Sequence, residues 1–179
     1  MRQTSAMLFG LLLASVVTAC TSSPTPPRSS GSSHSGTTAT LRRPCAYLTG
    51  TLAHALQPSM PATGEEHSEG GYLTCGFFSS TTHYNVDLTI VTPEFFHGLD
   101  TAPGYITHAF AAYPADQRSS PSGLAHSAEY WLPAGPGKFG VALIGWTHGT
   151  DALTLMVSSA GLTRSALEDA ARTIDASIP

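Results

Sequence analysis

The sequence predicts an α+β domain in which a mainly antiparallel sheet packs against an N-terminal and a C-terminal helix. Three observations carry that expectation. Apolar residues recur at helical spacing at both ends of the domain, from Cys45 to Leu56 and from Leu167 to Ile178. Between them, Val86, Leu88 and Ile90 alternate with Asn85, Asp87 and Thr89, the period of a half-buried strand. Further on, two apolar runs flank Thr147-His148-Gly149-Thr150, as strands flank a tight turn.

The residues ahead of the domain have the character of an address. Arg2 precedes an apolar run, residues 6–17, that ends in Val17-Thr18-Ala19-Cys20. A basic start, an apolar segment of about 7–15 residues and small residues at a cleavage point make an export signal. The run is too short to cross a bilayer, which takes about 20 apolar residues. With cysteine directly after the small residues, the pattern resembles the bacterial lipobox, whose thiol receives a diacylglyceryl group and becomes the first mature residue. The resemblance implies a lipoprotein signal peptide over residues 1–19 and lipidation at Cys20. Two acyl chains anchor stably where one does not. The expected location is the extracytoplasmic face of the cell membrane.

Residues 20–40 are the lipidated cysteine and a tether. From Thr21 onward nearly every residue is Ser, Thr, Pro or Gly, with Arg28 and His34 the only titratable side chains. That composition cannot bury enough apolar surface to offset the entropy of ordering, so disorder is expected.

Residues 41–179 make a single domain, long enough to bury about two-thirds of its unfolded surface. Cys45, Leu48, Leu52, Ala55 and Leu56 fall on one helical stripe, and Pro44 stands where a first-turn proline is tolerated. Leu73, Cys75 and Phe77 alternate along a strand. Pro93 closes the strand through Ile90 and opens an aromatic connection, residues 93–114, with a short helix from about Tyr105. Residues 124–132 form another strand. The runs 139–146 and 152–157 are apolar on both faces and are expected to be central strands. Leu167, Ala170, Ala171, Ile174 and Ile178 give the last helix its stripe, with Ser165 and Glu168 as a capping box. No internal repeat is visible.

Composition excludes one class of partner. Arg42, Arg43, Arg118, Lys138, Arg164 and Arg172 are the domain's basic residues, against 12 Asp and Glu. No basic stripe exists to neutralise phosphates, so nucleic acid is not an expected partner. The three cysteines resolve by arithmetic: Cys20 goes to lipid, which leaves Cys45 and Cys75 as an even pair in an oxidising setting. A disulfide is expected, pinning the first helix to the inner face of the sheet. A catalytic thiol would instead need activation in an electropositive pocket, and the surroundings of both cysteines are neutral and apolar.

Lipobox, tether, Pro44-Cys45 opening an amphipathic helix, and Cys75-Gly76-Phe77 in an aromatic strand together resemble a family of short actinobacterial lipoproteins of uncharacterised function. The likeness covers residues 44–90. It departs at Phe77, near which members often carry Trp. The resemblance implies the Cys45–Cys75 bridge and a small α+β domain, and no catalytic residue. More distantly, the order of elements is similar to the extracellular sensor domains of mycobacterial kinases and to PsbP-like lipoproteins, which implies a pocket between sheet and helix.

Motifs for chemistry are absent: no nucleophile elbow, zinc-protease helix, phosphate-cradling loop or Cys-x-x-Cys occurs. Glu65-Glu66-His67-x-Glu69 offers carboxylates and an imidazole in one predicted loop, yet zinc prefers several His or Cys ligands. No cofactor is expected. His126 falls in register with Leu124, Ala128, Tyr130 and Leu132, which predicts a buried, hydrogen-bonded histidine or a pH-sensitive ligand contact. His54, His83, His97, His108 and His148 read as surface or turn residues, and Asp87 and Glu129 as strand carboxylates on polar faces.

Phe95, Phe96, Tyr105, Phe110 and Tyr113 either complete a core or line an apolar pocket with Trp131 and His126. The expected function is a membrane-anchored lipoprotein with a non-enzymatic binding or accessory role, its partner a small apolar ligand or an envelope protein. The alternatives are a small cell-surface hydrolase, with His126 or His108 in a cleft beside Ser and a carboxylate, and a cation-binding lipoprotein.

Overall fold

The structure, a computed structural model, describes residues 43–96, 101–134 and 140–179. Cys20, the tether with Arg28 and His34, and Arg42, His97, Lys138 and Phe139 lie outside the described residues.

The chain runs α1 (Pro44–Tyr47), α2 (Gly50–Leu56), β1 (Glu65–Glu69), β2 (Tyr72–Phe78), β3 (Asn85–Val91), α3 (Pro93–Phe96), α4 (Ala102–Ala111), β4 (Arg118–Ser119), β5 (Ala125–Leu132), β6 (Gly140–His148), β7 (Asp151–Ser159) and α5 (Arg164–Ser177). The strands form one seven-stranded antiparallel sheet in the order β1-β2-β3-β7-β6-β5-β4. Two meanders therefore meet where β7 returns beside β3, and the helices pack on the sheet as an α+β domain requires. Among the described residues no helix is long and apolar enough to cross a membrane.

Local chemistry explains most of the elements. β7 lies fourth of seven, and Leu153, Leu155 and Val157 face one side while Ala152 is buried on the other. Coverage on both faces is what its apolar run requires. The loop between β6 and β7 is Gly149-Thr150, with Gly149 at φ 57 in the first loop position, where a type II′ turn places glycine. Cys75 is buried on β2 and bonded to Cys45 of α1 across 30 residues of sequence. The bridge ties the N-terminal helix to the sheet.

The first helix departs from expectation. It is broken into α1 and α2, because Leu48 leaves helical conformation at ψ 85 and Thr49 starts a new helix by accepting the Leu52 N–H on its hydroxyl. Gly50 follows where a Cβ would stand 2.1 Å from the Ala62 carbonyl oxygen, so the backbones meet too closely for a side chain. The buried stripe consequently runs through Leu48, Ala53 and Leu56, while Ala55 is exposed.

The cap of α5 also shifts. Thr163, not Ser165, accepts from the third helical N–H, that of Ala166, so Ser165 and Glu168 sit inside the helix and form no capping box. The stripe itself holds, with Leu167, Ala170, Ala171 and Ile174 buried.

The sheet separates two cores. The larger, under α1, α2 and α5, gathers Leu48, Leu56, Phe77, Leu88, Ile144, Trp146, Leu155 and Ile174. The smaller, under α4, holds Val91, Phe96, Ile106, Phe110 and Ala152. Alternation along β6 and β7 divides neighbours between them: Ala142 and Leu153 face one, Leu143 and Ala152 the other.

Candidate functional site

The aromatic segment completes a core. Phe110 is 2 % exposed and its ring lies 2.7 Å from where a Cβ on Gly145 would stand, so that glycine is what lets α4 approach β6. Tyr113 packs against the Phe110 ring and stacks on Tyr130 at 4.1 Å, and Phe96 meets Tyr105 at 5.6 Å. Burial and the nearby Tyr72 phenol push the Tyr105 hydroxyl above its usual pKa. Phe95 is 40 % exposed and rests on Tyr72.

Trp131 does not join them. It packs against the larger core, on the opposite face of the sheet from Phe110 and Tyr130. The expected convergence of Trp131 with residues 93–114 is corrected by this placement. His126 is corrected as well: it is exposed, at φ 46. Its register shows why. Ala125 pairs with Thr147 and Ala128 with Gly145, so three steps on β5 match two on β6 and a bulge absorbs the extra residue. The alternation read through Leu124, His126 and Ala128 is broken at that point.

Trp131 nevertheless lines a cleft of its own. At the end of β5, β6 and β7 it joins Leu132, Pro133, Val141, Ala142 and Leu162 around a cleft of about 180 Å³ that opens to solvent. Leu132 is 41 % exposed there. The cleft is smaller than the about 300–1,000 Å³ of a site for a drug-sized ligand, and suits a slender group.

Beside the cleft stands a charged pair that sequence reading missed. Glu129, taken from its pattern as a polar-face carboxylate, has a 0 % exposed side chain. Its Oε2 accepts from the Ser119 hydroxyl at 2.7 Å and lies 3.2 Å from Nε of Arg164, the first residue of α5. The Arg164 guanidinium lies 5.8 Å from the centre of the Trp131 ring, a cation–π distance. The only hint in sequence is that Glu129 and Trp131 share strand parity.

The remaining polar candidates lie elsewhere. Strand β1 holds Glu65, Glu66, His67 and Glu69 in extended chain, which turns neighbours to opposite faces. Glu66 takes Arg43 and the Cys45 N–H, while His67 stands 3.6 Å from Glu69. Among the described residues no group of three or more His, Cys, Asp or Glu is placed to hold a metal ion. His148 closes β6, and its Nδ1 lies 2.9 Å from Asp175 Oδ1, which also accepts from the indole N–H of the buried Trp146. It is 30 % exposed beside the Gly149-Thr150 turn, and it has a carboxylate partner. His54, His83 and His108 are exposed. Burial raises the Asp87 carboxyl above its usual pKa, and the amide of Asn85, which donates to it and accepts in turn from Ser158, works against that rise.

Fold and site together define an α+β domain with a small, partly open cleft of mixed polar and apolar lining at one end of its sheet. No protein-family profile, curated protein or solved structure matches the chain.

Proposed function

We propose that this chain is a membrane-anchored surface lipoprotein, lipidated at Cys20, whose role is to bind a small apolar ligand without transforming it. The lipobox and the likeness of residues 44–90 to short actinobacterial lipoproteins support the anchor and the extracytoplasmic location. The observation that carries the binding role is the cleft at Trp131, where Ala142 and Leu162 lie on the same side of the sheet as the indole. Burial of apolar surface favours a ligand by about 25 cal/mol per Å² before ordering costs. A protein tethered beside a bilayer meets hydrophobes of that kind.

The test uses the protein's own reporter. Of its 2 tryptophans, Trp146 is fully buried and Trp131 lines the cleft, so a cleft ligand acts on the second. Titrating 1-decanol into the purified chain should shift tryptophan emission saturably. Ala160→Phe, which adds a ring at an exposed residue of the cleft wall, should remove the response. An unchanged emission in the parent chain contradicts the reading.

A further inference from the structure

We infer that the ligand of the Trp131 cleft is an anionic amphiphile, with its chain in the cleft and its headgroup on Arg164. This rests on the reading of the cleft as an apolar site and adds the chemistry of the ligand's polar end.

Arg164 is held, and held in a particular way. Glu129 is fully buried and fixed by Ser119, and it approaches Arg164 at Nε. The guanidinium carbon stands over the Trp131 ring, 5.8 Å from its centre. Among the described residues, Nη1 and Nη2 have no further partner, and the side chain is 50 % exposed. The fork that binds carboxylate or phosphate in two parallel hydrogen bonds therefore remains available next to the cleft wall. Glu129 is a positioning residue here: it sets the direction of the guanidinium and touches no ligand.

The surroundings favour a negative headgroup. Arg164 opens α5, a helix of 14 residues whose first turn carries no acidic side chain of its own, so no carboxylate within that turn opposes the positive end of the backbone dipole. The next acids along the helix, Glu168 and Asp169, are both engaged by Arg172. Leu162, two residues before Arg164, lines the cleft, so apolar wall and cationic head are neighbours in the chain. A neutral hydrophobe would leave the Arg164 fork to water. A cationic one would meet it with repulsion. A fatty-acid carboxylate or a lipid phosphate shares the chemistry the site offers.

Three probes with one tail separate the headgroup from the chain: decanoate, 1-decanol and decyltrimethylammonium, titrated into the full chain at mildly alkaline pH with tryptophan emission as readout. Decanoate should bind about tenfold or more tighter than 1-decanol, with the ammonium weakest, as a charge-assisted pair predicts. Arg164→Gln should erase the preference and leave 1-decanol binding in place. Because that change strands Glu129, the double variant Glu129→Gln/Arg164→Gln, which has no buried unpaired charge, should give the same result. Octyl phosphate against octanol then tells whether phosphate serves as well as carboxylate. Equal affinity for decanoate and 1-decanol, or a preference that survives the double variant, overturns the headgroup inference while the cleft reading stands. Failure of all three probes to move Trp131 overturns the cleft reading itself.

Discussion

The two faces of the sheet are closed by different means. The larger core lies under three helices, is filled mainly by aliphatic side chains and is cross-linked by Cys45–Cys75. The smaller lies under α4, is built from aromatic rings and has no covalent tie among its described residues. The first relies on strand alternation backed by a bridge. The second relies on shape, a phenylalanine seated over a glycine, and so tolerates less chemical change at its centre.

Phe110→Asp is the severest way to test that difference. A carboxylate would be buried among Ile106, Phe96 and Gly145, and Arg118 is already engaged by the residue 110 carbonyl at 3.3 Å, a loss above about 4 kcal/mol. The variant should fail to fold cooperatively, checked by circular dichroism and chemical denaturation. If α4 were a loose cover, the rest of the sheet would survive with the larger core intact, and the comparison would break.

Removing the bridge should cost less. Cys45→Ser/Cys75→Ser should lower stability by about 2–5 kcal/mol, the range for a native disulfide in a small domain. The parent should show no reactive thiol from these two residues when denatured without reductant. A double variant as stable as the parent would mean that α1 is held by packing alone.

Smaller again is the cap of α5, which fixes the helix closing the larger core. Thr163→Ala should cost about 1 kcal/mol, while Ser165→Ala should cost almost nothing. Denaturant midpoints of the two variants separate the observed cap from the box that the sequence suggests.

The smallest effect concerns Asp87, on the polar stretch of sheet beyond α4. Burial raises its carboxyl above the usual carboxylate range, so ionising it is harder in the folded chain than in the unfolded one. The stability linked to this group is full below the unfolded pKa and is lost as pH rises through the higher folded one. Asp87→Asn should therefore be modestly more stable than the parent at neutral pH and equal to it in acid. A pH-independent difference would place the effect in lost hydrogen bonding to Asn85.

These contrasts also explain what the sequence shows and what it hides. β3, β7 and the stripe of α5 are legible because their periods are local: each residue's face follows from its neighbours a few positions away. The break at Thr49-Gly50 is not, since it depends on Ala62 arriving from elsewhere in the chain. The bulge after Ala125 has the larger consequence. One extra residue changes the facing of everything before it, and with it the expected surroundings of His126. Trp131 was legible as a strand residue, but its neighbours were not, because Leu162 and Arg164 reach it only through the pairing of β5, β6 and β7.

The central claim is that the Trp131 cleft holds an apolar ligand on a membrane-anchored protein. Native mass spectrometry of the full chain, extracted gently from its own membrane, tests it most directly. The account predicts the lipidated chain with an additional non-covalent apolar molecule, an adduct that Ala160→Phe lacks while its fold and lipid are unchanged. A parent chain found only at its bare lipidated mass, indistinguishable in occupancy from Ala160→Phe, would contradict it.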